Sequence, residues 1–216
     1  MRTMLVVLAS CAASSSAIRP DVSAISDGHR WQAVNVESRV SREADKQLVT
    51  LGPIGGNRKG SNVGMALVDG VAFDRGTIDV DLRGLGEANA SFVGIAFGVA
   101  DPTHYEAIYF RPFRFRATDP IERSHAVQYV AWPEHTWEAL RAQAAGKYEA
   151  AIAPVPDPAS WFHARIEVDR TTVKVFVDHA AQPTLVVERL SRSSGGVGLW
   201  VDSQPASFAN LEIVPS

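Results

Sequence analysis

Residues 76–84 read GTIDVDLRG, and their alternation decides the fold class. Ile78, Val80 and Leu82 fall on one side of an extended chain, whereas polar residues fall on the other side. A strand with one apolar and one polar face is typical of an antiparallel sheet that covers a core on one side and meets water on the other. The segment therefore predicts a half-buried β-strand.

Similar short segments recur along the chain, rich in Val, Ile, Phe, Tyr and Trp and bounded by Gly, Pro, Asp or Asn. They lie at 30–41, 62–68, 91–100, 104–111, 125–132, 160–169, 172–178, 184–190, 195–202 and 207–214. Ten or more strands with this turn spacing predict an all-β protein, a two-sheet antiparallel β-sandwich. One short helix is predicted at 133–144, where Trp137, Leu140 and Ala144 have helical spacing.

Length and charge exclude several functional classes. The 216 residues fit one domain, and the formal net charge of −3 offers no basic surface for nucleic acid. No apolar run approaches the roughly 18 residues of a membrane-spanning helix. The sequence also lacks the Gly-x-Ser-x-Gly, His-Glu-x-x-His and phosphate-loop motifs.

The N-terminal segment predicts export. It reads MRTMLVVLASCAASSSA, in which Arg2 precedes a short apolar stretch and the LASC that follows resembles a bacterial lipobox. We expect residues 1–22 to be a signal and flexible tether, Cys11 to be lipidated, and residues 23–216 to form a periplasmic or cell-surface domain whose membrane contact is this anchor. An ordinary signal cut after an alanine, or a misassigned start, remains open. Cys11 is the single cysteine, so no internal disulfide is expected.

The order of the segments resembles that of the concanavalin A-like lectin/glucanase superfamily. It runs from GTIDVDLRG through SFVGIAFGV and HYEAIYFRPFRFR to GGVGLWVDSQPASFANLEI. Within that superfamily, the chain is similar to bacterial 3-keto-disaccharide hydrolase-type domains and to laminin-G-like modules. The resemblance implies a jelly roll of two curved sheets, with ligands, usually sugars, lying across the concave sheet. The Glu-x-Asp-x-x-Glu strand motif of the glucanase members does not occur in this sequence, which argues against their retaining chemistry.

The segment 104–116, HYEAIYFRPFRFR, supplies the first candidate site residues. On an extended chain, Glu106 shares a face with Ile108 and Phe110, and Tyr109 lies on the opposite face. The resemblance implies that Tyr105 enters the core and that Glu106 lies on the concave sheet. We therefore expect Glu106 to be a catalytic carboxylate and Tyr109 to be a stacking surface.

The end of this segment predicts a loop that binds ligand. Pro112 cannot donate to a strand ladder, so pairing is expected to stop there. Arg111, Arg114 and Arg116 would then offer forked donors to hydroxyls or carboxylates at the rim of the concave face. The alternative is a solvated loop whose phenylalanines pack inward while its arginines face water.

The next segment, 125–132, adds His125 as a candidate general base and Gln128 and Trp132 as candidate substrate contacts. For Trp137 we expect a core position, with a ligand platform as the alternative. No metal site is predicted. Structural calcium is the single cofactor considered, with Asp202 as its nearest candidate, and the sequence supports it weakly because it has no dense Asp/Asn loop.

Together these residues predict an extracytoplasmic domain that binds a carbohydrate or acts on a glycoside. If it is an enzyme, Glu106 and His125 would supply acid/base chemistry on an oligosaccharide, as a glycoside hydrolase or lyase, with a 3-keto-glycoside implied by the resemblance. A non-catalytic laminin-G-like module that binds a protein or envelope polymer is the main alternative. A purely structural envelope domain is a third.

Overall fold

The computed structural model describes residues 16–55, 62–85, 91–191 and 193–216, and the predicted lipidation site Cys11 lies outside them. It confirms a sandwich of two seven-stranded antiparallel sheets. The first, which we call the site sheet, has the order β1-β4-β13-β6-β7-β8-β9. Its strands are β1 (Trp31–Val34), β4 (Val63–Val68), β6 (Phe92–Asp101), β7 (His104–Phe110), β8 (Val127–Trp132), β9 (Glu149–Ala150) and β13 (Gly196–Asp202).

The second sheet, which we call the back sheet, has the order β12-β11-β10-β5-β14-β3-β2. Its strands are β2 (Val36–Glu43), β3 (Lys46–Pro53), β5 (Gly76–Arg83), β10 (Phe162–Val168), β11 (Thr172–Val177), β12 (Leu185–Glu188) and β14 (Ala206–Pro215). The core lies between the two sheets. Ile78, Val80 and Leu82 are fully buried in it, as the alternation in β5 predicts.

The segment 30–41, predicted as one strand, is divided between the two sheets. Asn35 adopts a left-handed backbone with φ of 53°, a conformation that asparagine tolerates better than most residues. Its side-chain Nδ2 donates to the Val63 carbonyl at 2.8 Å. The chain therefore turns at Asn35, so that β1 joins the site sheet and β2 joins the back sheet.

Helices are short in the part of the chain that the structure describes. They are α1 (Pro120–Arg123), α2 (Trp137–Ala144) and the 3₁₀ helices Val22–Asp27 and Pro112–Arg114. The predicted helix at 133–144 begins later than expected, because Thr136 caps it by accepting a hydrogen bond from the Ala139 amide at 3.3 Å. Residues 133–135 instead form a turn closed by backbone hydrogen bonds between Ala131 and His135.

Candidate functional site

The outer face of the site sheet carries a cavity of about 450 Å³, which we call the aromatic trough. Its aromatic lining residues come from β6, β7, β8, β13 and α2: Phe92, Tyr109, Trp132, Trp200 and Trp137. The remaining lining residues are Val63, Val130, Glu138, Asp202 and Ser203. A concave apolar surface with a few polar groups is the usual form of a small-ligand site.

Strand register brings two of these rings together over a glycine. Gly94 in β6 pairs with Tyr109 on one side and with Trp200 on the other. Because Gly94 has no side chain, the two rings meet above it, stacked with centroids 4.9 Å apart. Phe92 packs edge-on against Tyr109 at 6.0 Å. The floor of the trough is therefore a continuous aromatic surface.

Trp137 lies at the wall of the trough rather than in the core. Its residue is 38% exposed, whereas Leu140 on the same helix is buried. The Arg141 guanidinium lies over the indole ring, 4.8 Å from its centroid. The expected core position of Trp137 is wrong: Trp137 is the first residue of α2, where its ring lines the trough, and Leu140 is the residue of α2 that is buried.

Asp202 is partly buried and lines the trough. Its Oδ1 accepts hydrogen bonds from the Asn62 amide at 3.0 Å and from the Ser203 hydroxyl at 3.1 Å. Burial raises the pKa of the Asp202 carboxyl above its usual range. A second carboxylate, that of Glu138 on α2, lines the same cavity.

A second cavity of about 180 Å³ adjoins the trough, and we call it the basic pocket. Its lining residues are Phe92, Arg111, Phe113, Arg114, His125, Trp137 and Arg141. Phe92 and Trp137 line both cavities, so the two form one groove with an aromatic end and a cationic end.

Arg111 is the most enclosed cation of the basic pocket, with 6% of the residue exposed. Its guanidinium donates to the Tyr109 hydroxyl at 2.8 Å, to the His125 carbonyl at 2.7 Å and, more weakly, to Gln128 Oε1 at 3.5 Å. Its Cζ lies 4.9 Å from the Tyr109 ring centroid. These contacts fix the orientation of the guanidinium against the aromatic floor.

Glu149 contacts two residues that line the basic pocket, Arg141 and His125. It accepts two hydrogen bonds from Arg141, at 3.0 and 2.6 Å, and its Oε2 lies 2.9 Å from Nδ1 of His125. Desolvation lowers the pKa of His125, although the nearby Glu149 carboxylate opposes this effect. Arg114 pairs with Glu122 and lies over the Phe113 ring at 5.3 Å.

Glu106 does not reach the groove, so the expectation that it lies on the outer face is wrong. It has no exposed surface, and its carboxylate accepts hydrogen bonds from Arg189 at 2.9 Å and Tyr129 at 2.6 Å inside the sandwich. Burial raises the pKa of Glu106, and the hydrogen bond from Tyr129 opposes that rise. The catalytic role predicted for Glu106 is incompatible with this position. Tyr105, expected in the core, lies on the outer side of β7, stacked on Trp132 at 6.4 Å.

The other predicted site residues divide into two groups. Tyr109 and Trp132 line the trough, and Arg111, Arg114 and His125 line the basic pocket. Gln128 is buried beneath the groove, where its Nε2 donates to the Tyr129 and Tyr148 carbonyls at 3.0 and 3.1 Å. Its polar atoms are therefore satisfied by the protein. Arg116 has a side chain that is 59% exposed and pairs with Asp157 at 3.1 Å, outside both cavities.

Phe92, Arg141 and Glu149 are among the residues of the site that were not identified from the sequence. Phe92 could have been identified from the sequence, because it occupies an outward position in the alternation of β6. Arg141 and Glu149 could not, because their pairing depends on α2 and β9 meeting in space. Among the described residues, no cluster of three His, Cys, Asp or Glu side chains is placed to hold a metal ion. The described helices include none that is long and apolar enough to cross a membrane.

Comparisons with known proteins identify the fold. No family model matches the sequence, and no curated protein matches it. Among solved structures, the chain is similar to a Bacillus subtilis protein of unknown function with a galectin-like fold (TM-score 0.58, 12% identity, covering 94% of this chain and 99% of that one). It is also similar to the carbohydrate-binding module CBM66 from Bacillus subtilis (TM-score 0.54, 13% identity, 85% and 95% coverage).

A β-glucanase from Bacillus licheniformis is a further structural neighbour, with a TM-score of 0.53, 12% identity and coverage of 86% of this chain and 92% of that one. Identities this low establish the fold and leave the activity open. The order of strands, the two sheets and these neighbours agree with the jelly-roll fold expected from the sequence. The protein therefore has a two-sheet jelly-roll fold similar to the folds of these neighbours.

Proposed function

We propose that the groove on the outer face of the site sheet binds a carbohydrate. The observation that carries this proposal is the aromatic trough itself, in which five aromatic side chains line a cavity of about 450 Å³ together with Asp202 and Ser203. Flat aromatic faces pack well against the apolar faces of sugar rings. A carboxylate accepts hydrogen bonds from sugar hydroxyls, and a serine hydroxyl can donate to them or accept from them.

The rigidity of the floor supports the same function. Tyr109 and Trp200 are almost completely buried in their stack, and the Tyr109 hydroxyl is held by Arg111. Side chains that are already ordered lose little conformational entropy when a ligand binds. The presence of a carbohydrate-binding module and a β-glucanase among the structural neighbours adds support at the level of fold.

Calorimetric titration with a panel of oligosaccharides tests the proposal. Trp137→Ala should weaken binding of any bound glycan by at least tenfold, a loss of about 1.4 kcal/mol, because Trp137 is the exposed aromatic wall of the trough. The matched control is Trp161→Ala. Trp161 lies at the other sheet, between Lys46 and Arg83, and its loss should leave affinity unchanged.

A second candidate function is cleavage of a glycoside, and Asp202 is the observation that favours it. Burial raises the pKa of its carboxyl, which is the direction that favours a general acid, and Glu138 lines the same trough. Mass spectrometry of the incubated glycan separates the two candidates. Turnover that disappears in Asp202→Asn while binding persists would establish an enzyme, and an intact glycan would leave a binding module.

Failure of every saccharide to bind would overturn the carbohydrate proposal. The alternative is then a laminin-G-like module that binds a protein or envelope polymer, which a pull-down with the same Trp137→Ala variant would address.

We also propose that the domain is exported and lipid-anchored, on the strength of the lipobox-like LASC and the single Cys11. Expression of the full chain and of Cys11→Ala, followed by membrane fractionation, tests this. The unaltered chain is expected in the membrane fraction and the variant in the soluble exported fraction. Retention of both in the cytoplasm would refute export.

A further inference from the structure

Arg111 presents a buried positive charge without a carboxylate partner among the described residues. Its hydrogen-bond acceptors are a phenol, a backbone carbonyl and a side-chain amide, all of them neutral. A buried charge usually has an opposite charge as its partner, because removing a guanidinium from water is costly. Arg111 lines a cavity that opens to the outside, so an incoming ligand can supply the missing negative charge.

The other cationic side chains that line the basic pocket favour binding of an anion at the same place. Arg141 is held by Glu149, and Arg114 contacts Glu122, so both guanidinium groups are oriented by the protein before any ligand arrives. His125 completes the wall, and its imidazole adds a further donor when protonated. Three arginines around a cavity of about 180 Å³ match the forked geometry with which guanidinium groups bind carboxylates and similar oxyanions.

The basic pocket and the aromatic trough lie side by side and share Phe92 and Trp137 as lining residues. A single ligand that fills both would combine rings with an apolar face, which pack on the aromatic side chains, with an anionic group. We propose that the ligand is an acidic saccharide, in which a sugar ring lies in the trough and the anionic group of the same or the next unit binds at Arg111. This inference rests on the proposed carbohydrate function and names the class of sugar that the groove takes.

The test compares matched pairs of oligosaccharides by calorimetry on the whole domain. Each uronic-acid oligosaccharide is paired with its carboxyl-reduced neutral counterpart, and a sulfated oligosaccharide forms a third arm. The acidic member should bind at least about tenfold more tightly than the neutral one, since a hydrogen bond to a charged group contributes more than one to a neutral group. A sulfated sugar that binds best, with the same dependence on Arg111, would assign the anion to a sulfate ester.

Arg111→Gln should lower affinity for the acidic sugar by at least about tenfold more than affinity for the neutral one, so that the preference disappears. Arg116→Gln is the matched control, because Arg116 belongs to the same loop but lies outside both cavities. If circular dichroism shows that Arg111→Gln is unfolded, Arg114→Gln at the pocket wall replaces it and should reduce the preference.

The outcomes separate this inference from the proposed function. Equal affinity of the wild-type protein for acidic and neutral sugars, with both lost in Trp137→Ala, would leave carbohydrate binding in place and overturn the acidic class. A preference for acidic sugars that survives in the Arg111 and Arg114 variants would overturn the assignment of the anionic group to the basic pocket. Absence of binding to any saccharide would overturn both proposals together.

Discussion

Arg189 and Glu106 form an ion pair between the two sheets, in which Nε of Arg189 donates to Oε1 of Glu106 at 2.9 Å and the two side chains are 1% and 0% exposed. Arg189 also donates to the backbone carbonyls of Asp74 and Ser193, at 2.6 and 2.7 Å. Tyr129 donates to the second Glu106 oxygen and accepts from the Leu190 amide at 2.9 Å. The network fastens the chain after β12 to the inner face of β7.

Loss of one partner of this pair should destabilise the fold. Arg189→Met leaves the Glu106 carboxylate buried without its counter-charge, which is expected to lower the free energy of unfolding by about 3–5 kcal/mol. Glu106→Gln should have an effect of the same sign, and the double variant should recover part of the loss. Urea unfolding monitored by tryptophan fluorescence measures all three.

Lys147→Met provides the control for this prediction. Lys147 pairs with Glu188 at 3.5 Å on the surface, where both side chains are about half exposed, and such pairs contribute about 0–1 kcal/mol. Unfolding free energies that are the same for Glu106→Gln and Lys147→Met would contradict a structural role for the buried pair.

Gly94 should control both the stability and the ligand affinity of the domain. A Cβ placed there would lie 2.2 Å from the Ile108 carbonyl oxygen and 2.7 Å from Cβ of Tyr109. Gly94→Ala must therefore displace β7 or separate the Tyr109–Trp200 stack. We expect a destabilisation of about 1–3 kcal/mol, as for other overpacked sites, together with weaker glycan binding and an altered near-ultraviolet circular dichroism spectrum.

Gly196→Ala in β13 is the matched substitution. A Cβ at this position would have the Val99 oxygen and Cβ as its nearest atoms, at 3.7 and 3.8 Å, which are ordinary contact distances. Gly196→Ala should therefore leave the spectrum and the affinity unchanged. Equal effects of the two alanine substitutions would show that glycine content in strands, and not the contact at Gly94, determines the result.

His163 should make stability depend on alkaline pH. On the outer face of the back sheet its Nε2 lies 3.1 Å from Asp79 and its Nδ1 lies 2.9 Å from Asp81. The hydrogen bond with Asp79, followed in size by the one with Asp81, raises the pKa of His163 from 6.5 to about 9. The folded state holds the His163 proton more tightly than the unfolded state does. The contribution of His163 to the free energy of unfolding is therefore complete below the unfolded pKa and is lost as pH rises through about 9.

The measurement compares the free energies of unfolding of the wild-type protein and His163→Gln between pH values of about 6 and 10. The difference between the free energies of unfolding of the wild-type protein and His163→Gln should be largest at the acidic end of this range and should decrease toward the alkaline end. A difference that stays constant over the range would show that His163 contributes through packing, for example against His179, whose ring lies 4.4 Å away. Arg165→Gln at the edge of the same cluster should preserve the pH dependence, because both carboxylates remain beside His163.

The sequence by itself determined most of the strands and which of their residues share a face, although β3 was not among the predicted segments. Alternation has a period of two, so β5, β7 and β8 could be divided into two sides without knowledge of their neighbours. The order of the segments also indicated the jelly-roll fold. Alternation could not show which side of β7 enters the core, because both sides carry aromatic residues, and the resemblance wrongly implied that Tyr105 is the residue that enters it.

The position of Glu106 and the two cavities of the site depended on tertiary structure, because the residues that form them are distant in sequence. Glu106 is inside because Arg189, 83 residues further along the chain, neutralises it there. The aromatic trough exists because Gly94 lets rings from two other strands meet above it. The basic pocket exists because α2 and β9 bring Arg141 and Glu149 to the loop that follows β7. Such contacts depend on how the two sheets and α2 pack, and no local pattern in the sequence records them.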